Sequence, residues 1–586
     1  MSRRTFIAGA VTIGVVLAAC SDDPNEAATT SAGTTAPATA GAASTTAAPS
    51  TSAGASTTAG ASTTAGGSTS SSATGASELP AEIQAVMDQP RYADATWSLL
   101  VTDVQSGESF YELNADRRSF TGSTRKLFSV GMALRQLGAD HRIETPVYRL
   151  GDIAADGTLT GALALVGAGD LVFGGRRIDA DTVDITTFDH NDANNLGTAI
   201  LSSQDPLYAL DELAAQVRAA GITTVDGDVV IDHRLFEPYR VPNGKLLITP
   251  VLLNENMVDV TVAPTETGEP ATVIHRPETG AFTVDGAVST AAAGTDASVS
   301  LSDGGLIQCL GTAGCHGTVG GEIPVGYEAP LSGEPNFVGT FRVEDPDAFM
   351  RTAFIEALAR HGVTVSAAPV GPNPEALLPA APYDDATRVA VHESAPYGQT
   401  VRLVLKVSLN LGANLALSLF GVEHGARTID EALAAERQAL IDLGIEGDQF
   451  EFPTNGSGTP DSEASPRALV DMLVDTHESP DAELFQNALP ILGVDGSLAT
   501  SGTDFPAKGH VFAKTGTSIL PGEEEGTFVV KAQNFAGYIE TKSGRTVAYA
   551  LMVNDAGAVD PTDIEGSLTP VISDEATISN VIYESL

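Results

Sequence analysis

The chain has 586 residues, with 31 lysines and arginines against 75 aspartates and glutamates and a net charge of −44. That length exceeds what one hydrophobic core supports, so two or three domains are expected. The acidity argues against nucleic acid and against an anionic membrane surface as partners, because both would be repelled.

Residues 1–20 read as an export segment and are set aside from the fold. Ser2-Arg3-Arg4-Thr5-Phe6 resembles a twin-arginine signal, and Phe6 to Ala19 is an apolar run too short to span a bilayer comfortably. It ends in Leu17-Ala18-Ala19-Cys20, which resembles a lipobox, whose cysteine becomes the lipidated first residue after cleavage. The plainer alternative makes Cys20 a small residue beside a signal cleavage site. The expectation is an exported, extracytoplasmic lipoprotein held to the membrane through Cys20. Residues 21–78 read as a linker. From Ala27 to Ser77 every residue is Ala, Thr, Ser, Gly or Pro, and Ala55-Ser56-Thr57-Thr58-Ala59-Gly60 repeats at once as residues 61–66. Such a stretch cannot bury a core. About fifty residues of flexible coil span roughly 40 Å on average, with an extended limit on the order of 170 Å.

Folding is expected from Pro80 onward. Trp97 to Val104 reads as a strand, Gln105-Ser106-Gly107 as a turn and Ser109 to Leu113 as the returning strand. In Ser123-Thr124-Arg125-Lys126 a serine stands three residues before a lysine. Leu127, Val130, Leu134 and Leu137 then recur at helical spacing, and Gly138 closes the run. Ser123 is thus placed in the first turn and Lys126 one turn on, on the same face. A lysine kept out of water is pushed toward its neutral form and can take a proton from the serine hydroxyl. The bland alternative is an N-cap serine followed by a solvated lysine.

Roughly 280 residues separate Lys126 from Ser408, too many for a loop within a compact domain, so one or more inserted domains are expected. Asp205-Pro206 opens a helix that closes at Gly221, and Asp345-Pro346 opens another that closes at Gly362. Each leads into a strand-like run, Ile222-Thr223-Thr224-Val225 and Val363-Thr364-Val365. Asp189-His190-Asn191-Asp192-Ala193-Asn194-Asn195 resembles a calcium loop but lacks the glycine and distal glutamate of an EF-hand, and reads as a polar loop. Cys309 and Cys315 are the cysteines left after Cys20, and in an exported protein a disulfide is favoured over two free thiols. The adjacent His316 leaves a metal site as the alternative, opposed by the crowding of three candidate ligands without a second cluster.

Val401 to Val407 is largely apolar, and Leu409, Leu411, Ala413, Leu415 and Leu419 continue the pattern. Ser408 and Asn410 therefore lie in a buried setting where polar side chains need partners. Thr428 to Leu443 reads as a helix with Glu431 completing a capping box, and Ser465-Pro466 opens another through Leu473. His510 to Thr517 reads as a strand that runs into Lys514-Thr515-Gly516-Thr517. A hairpin of Tyr538 to Thr541 and Thr546 to Val553 follows, and Ile578 to Tyr583 reads as a terminal helix. Strands early and late with helices between imply an α/β chain of α+β type, an antiparallel sheet flanked by helices.

S-x-x-K, S-x-N and K-T-G in this order are an established signature of β-lactamases and penicillin-binding proteins. The chain resembles the serine D-alanyl-D-alanine carboxypeptidase/endopeptidase family, the low-molecular-mass class C penicillin-binding proteins. Many relatives carry an acidic residue where Leu409 stands, but the middle position is not the chemical one. Val166 to Asp170, Val225 to Asp232, Asn455 to Gly458 and Leu489 to Leu498 also resemble stretches of that family. The resemblance implies a penicillin-recognising, β-lactamase-like catalytic domain built from residues 79–145 and 391–586. A large α/β region, residues 146–390, splits it.

By the same resemblance Ser123 is the nucleophile and Lys126 the base. Ser408, held by Lys126 and Asn410, passes the proton to the leaving nitrogen. Lys514 and Thr515 meet the terminal carboxylate, Gly516 lets the substrate backbone approach, and the N–H groups of Ser123 and Thr517 form the oxyanion hole. The expected partners are peptidoglycan stem peptides and β-lactams, with no nucleic acid, no cofactor and no metal. Two other readings stand beside this one. The first is a β-lactamase or esterase on the same machinery; Glu483 and Asn487 mimic a deacylating E-x-x-x-N but lie far beyond Asn410. The second is a non-catalytic wall-binding lipoprotein, which would be expected to lose one of the motifs.

Overall fold

The computed structural model describes residues 78–242, 245–524, 526–561 and 563–586. The export segment, Cys20 and all of the linker but residue 78 lie outside these residues. Among the described residues no helix is long and apolar enough to cross a membrane.

An antiparallel sheet runs in the order Ser109–Leu113, Thr96–Asp103, Thr546–Asn554, Phe528–Glu540 and Val511–Pro521. Its register pairs the start of the folded chain with its end, with Trp97 opposite Val553 and Val101 opposite Tyr549. The Thr96–Asp103 strand is buried almost throughout, because helices cover both faces of the sheet. Side chains alternate between those faces. Leu100, Ala548 and Ala550 pack on the Lys126–Leu137 helix side with Leu127, Leu134 and Val401. Leu99, Val101, Tyr549 and Leu551 pack the other way, with Leu568, Val571, Ile578 and Ile582 of the C-terminal helix. Each such aliphatic side chain, fully buried, contributes about 1.5–3 kcal/mol.

That C-terminal helix covers Ile564–Ser585, far more than the expected Ile578 to Tyr583. Asp563 caps its start by accepting from Gly566 N–H, and the apolar stripe carries the helix through Pro570. The expected capping box is present at Thr428 and Glu431.

Residues between the first and later motifs build other sheets. One runs Thr364–Val365, Thr224–Asp226, Thr158–Val166, Glu144–Ile153, Arg388–Glu393, with Val229–Asp232 also beside Thr158–Val166. The helices Tyr208–Ala219 and Pro346–Arg360 each feed a short strand, and those two strands pair in parallel. Val147, Leu163, Leu213, Val217, Phe354 and Leu358 share one core there. Cys309 and Cys315 are joined as a disulfide just before the His316–Pro324 strand.

Asp189 to Asn195 differs from a polar loop. It forms a turn and a short helix, and Asp189 and His190 are buried. Arg176 reaches both Asp189 and Glu255, while His190 Nδ1 meets Asp259 Oδ1 at 2.7 Å. The charges that make this stretch look solvated are matched by opposite charges brought in from other segments.

Candidate active site

Ser123 lies in the 3-10 turn Gly122–Arg125, and Lys126 opens the Lys126–Leu137 helix behind it. The expected first helical turn is thus a tighter one, which brings the two side chains together. Lys126 Nζ is 2.6 Å from Ser123 Oγ, 2.7 Å from Asn410 Oδ1 and 3.3 Å from Ser408 Oγ. Its remaining neighbour is the Ser457 carbonyl at 3.4 Å. Lys514 Nζ donates to Ser408 Oγ at 2.8 Å and to the Thr515 carbonyl at 2.8 Å. Ser408 therefore sits between two amines. Asn410 holds Lys126 directly, where the sequence reading had it hold Ser408.

Ser408 is left-handed, with φ of 63°, at the break between the helices Tyr397–Val407 and Asn410–Glu423. The break turns an apolar run into two helices and aims Ser408 and Asn410 at the same lysine. Lys406 fixes the end of the first helix, with its Nζ 2.7 Å from both Asp495 oxygens and 2.6 Å from the Leu489 carbonyl.

The Val511–Pro521 strand carries Lys514, Thr515, Gly516 and Thr517 along the sheet edge. A Cβ on Gly516 would lie 2.3 Å from the Thr121 carbonyl and 2.9 Å from Thr124 N. Its bare Cα thus lets the serine turn seat against the strand. Thr515 Oγ1 pairs with Ser497 Oγ at 2.8 Å, and Thr517 Oγ1 donates to Gln533 Oε1 at 2.7 Å.

Three groups escaped the sequence reading although their stretches stood out in it. Asn455 Oδ1 gathers the N–H groups of Ser457 at 2.8 Å and Gly458 at 2.7 Å. Asn414 Oδ1 accepts from Gly456 N–H at 2.8 Å while its amide donates to Ser457 Oγ at 3.1 Å. Together they aim the Ser457 carbonyl at Lys126. Arg125, inside the first motif, forms a buried ion pair with Glu436 and stacks over Phe452 at 3.9 Å, so its role is structural.

Lys126 and Lys514 are both 0% exposed. Burial pushes Lys126 down to about 7, against an opposing pull from the Asp192 carboxylate. Lys514 is driven well below the ordinary lysine range, first by burial and then by Lys126 beside it. A neutral amine 2.6 Å from a hydroxyl is a proton acceptor already in place. Ser123, Ser408, Thr515 and Thr517 are only half-buried, so a ligand can reach this edge.

Among the described residues two clusters have ligand atoms close enough for a metal ion, Asp189, His190 and Glu255, and His233, Asp347 and Glu375. In the first, Arg176 already occupies both carboxylates and Asp259 holds His190. In the second, His233 Nδ1 bonds to Asp347. His316, the third ligand weighed beside the cysteines, is exposed and bonds the Gly314 carbonyl at 3.0 Å. An open cavity of about 460 Å³, lined by Thr295, Tyr327 and Phe337 among others, touches none of the motif residues. Glu483 is exposed on the Ala482–Ala488 helix.

Among known proteins, the chain is 27% identical over 529 residues to a D-alanyl-D-alanine carboxypeptidase of Actinomadura sp. (strain R39), covering 85% of this chain and 87% of that one. In fold it is similar to penicillin binding protein 4 of Haemophilus influenzae, with a TM-score of 0.61, 19% identity and coverage of 86% of this chain and 99% of the other. The same protein complexed with a β-lactam matches with a TM-score of 0.59, 19% identity and the same coverage, 86% and 99%. Residues 79–573 match the D-Ala-D-Ala carboxypeptidase 3 (S13) family, nearly the whole described fold. The chain belongs to that family and is by this membership a serine-type D-Ala-D-Ala carboxypeptidase.

Proposed function

We propose that the chain cleaves D-alanyl bonds of peptidoglycan stem peptides through an acyl-enzyme on Ser123, and that penicillins acylate the same oxygen. The observation that carries this is the buried Lys126 amine at 2.6 Å from Ser123 Oγ. Ser123 Oγ gives its proton to neutral Lys126 and attacks the carbonyl carbon between two D-alanines. The oxyanion forms opposite the N–H groups of Ser123 and Thr517, each such donor worth about 3–4 kcal/mol in related chemistry. Ser408, touching both amines, relays a proton to the leaving nitrogen, D-alanine departs, and water hydrolyses the ester. Lys514 binds the substrate carboxylate, and an arriving anion draws that amine back toward its charged form. The reading takes residues 146–390 as a wall that shapes the cleft for a branched peptide. It also makes Cys20 a lipid anchor outside the cytoplasm and residues 21–78 a tether; Cys20→Ala should release the protein from membranes.

Detergent-solubilised full-length protein, given pentapeptide, cross-linked muropeptides and a chromogenic cephalosporin, tests the reading. The expected result is release of D-alanine, cleavage of cross-links, and cephalosporin turnover that stalls after one equivalent. Rapid multiple turnover of the cephalosporin with muropeptides left intact would overturn it in favour of a β-lactamase.

A further inference from the structure

We infer that Gln533 and Glu575 are positioning residues for Thr517, forming a relay from the K-T-G-T strand through the sheet to the C-terminal helix. The inference rests on the acyl-enzyme reading of Ser123. Thr517 Oγ1 donates to Gln533 Oε1 at 2.7 Å, and Gln533 Nε2 donates to Glu575 Oε2 at 3.1 Å. Gln533 stands opposite Thr517 in the ladder between the two strands. Glu575 comes from the Ile564–Ser585 helix. Both Gln533 and Glu575 are 0% exposed.

Packing alone does not ask for these residue types. The helix face around Glu575 is Leu568, Val571, Ile572, Ala576 and Ile578, and a leucine at 575 would suit it without desolvating a carboxyl. Glu575 Oε1 has no hydrogen-bond partner among the described residues. The one bond its side chain makes among the described residues is the one that anchors Gln533. Burial, reinforced by nearby Asp574, keeps this carboxyl well above the ordinary range although Gln533 pulls it down. It acts as a neutral hydrogen-bonding group. With Gln533 fixed from behind, the Thr517 side chain cannot turn without breaking a bond. The strand end beside Ser123 then keeps one conformation, which is what a preorganised oxyanion donor requires.

The test uses the full-length protein and a labelled penicillin, separating the acylation rate constant from the binding constant, with thermal unfolding in parallel. Glu575→Leu should lower the acylation rate constant about tenfold, with binding changed much less. Glu575→Gln, which keeps an acceptor for Gln533, should restore most of that loss. Thr517→Val and Gln533→Leu should be strongly non-additive, the double variant being little slower than Thr517→Val alone. If Glu575→Leu does not fold, that cycle decides the Thr517–Gln533 link and a cycle of Gln533→Leu with Glu575→Ala decides the other, full additivity in either overturning the relay. Acylation of Glu575→Leu at the wild-type rate, or full additivity in the cycle, would overturn the relay while leaving the acyl-enzyme intact. A wild-type protein that takes no label on Ser123 overturns both.

Discussion

Two of the places where this molecule buries cations treat them in opposite ways. Between residues 176 and 276, Arg176, His190 and Arg276 are matched against Asp189, Glu255 and Asp259. His190 is held up at about 10, because Asp259 and then Glu255 outweigh its desolvation, and Glu255 is held down to about 2, chiefly by Arg176. At the candidate catalytic edge, Lys126 and Lys514 have hydroxyl, amide and carbonyl partners, with no carboxylate in hydrogen-bond contact among the described residues. Both amines are pushed toward neutrality. A buried charge that is matched holds structure together. An unmatched one becomes a base.

Removing a cation from each place should separate the two roles. Lys126→Ala removes the proton acceptor and should slow acylation by a labelled penicillin about 10²–10⁴-fold. It should leave thermal stability intact or raised, since a poorly compensated buried amine disappears. Arg176→Ala strands two buried carboxylates and should cost about 3–5 kcal/mol in urea unfolding. The molecules still folded should acylate normally. Loss of acylation in folded Arg176→Ala, or unfolding of Lys126→Ala, would erase the distinction.

The two places also predict opposite responses to pH. Acylation needs neutral Lys126, so its rate should fall about tenfold per unit once pH drops below about 7. For stability, the unfolded chain binds a proton at Lys126 between about 7 and 10.5 that the native state does not. The penalty for burying Lys126 is therefore full below about 7 and fades as pH rises toward 10.5. His190 is shifted the other way, from 6.5 to about 10, so its contribution is complete below 6.5 and is lost as pH rises through 10. Unfolding from about pH 6 to about pH 10 should show Lys126→Met as most stabilising at the acid end. His190→Gln should be most destabilising at that same end. Parallel pH slopes for the two variants would show that both cations sit in like environments.

The candidate catalytic groups were legible because they are local strings whose residue types have few other uses together. Ser123 with Lys126, Ser408 with Asn410, and Lys514 with Thr515 are each within three residues. What held them was not legible. Asn414 holds the Ser457 turn from a distant segment, and Asn455 folds it locally, but the lysine the Ser457 carbonyl is aimed at lies more than three hundred residues away. Asp189 to Asn195 looked solvated because its partners stand outside the stretch: Arg176 pairs with Asp189, and Glu255 accepts from Asn191. The terminal helix runs well before the expected Ile578, because capping by Asp563 and burial against the sheet carry it through Pro570. The hairpin of Tyr538 to Thr541 and Thr546 to Val553 was plain in the sequence, whereas its pairing with Trp97 needed the closed sheet.

Lys406 lies between the two extremes and gives the smallest of the expected effects. It is buried and two residues from Ser408, but it has a carboxylate, Asp495, which is itself half-buried. Burial pushes its amine down and Asp495 pulls it back up, with a net lowering. By position it belongs with the catalytic lysines, and by pairing it belongs with the structural network. The pairing should decide. Asp495→Asn keeps an oxygen for Lys406 while removing the charge, and the Leu489 carbonyl remains at 2.6 Å. The helix end can then drift, carrying the left-handed Ser408 away from the two amines. Acylation should fall about 3- to 30-fold, below the order of 10²-fold that a 1 Å displacement can bring. The loss should lie in the rate constant rather than in penicillin binding, and its pH midpoint should stay with Lys126. A shift of that midpoint in Asp495→Asn would mean that Lys406 takes part in the proton transfer itself.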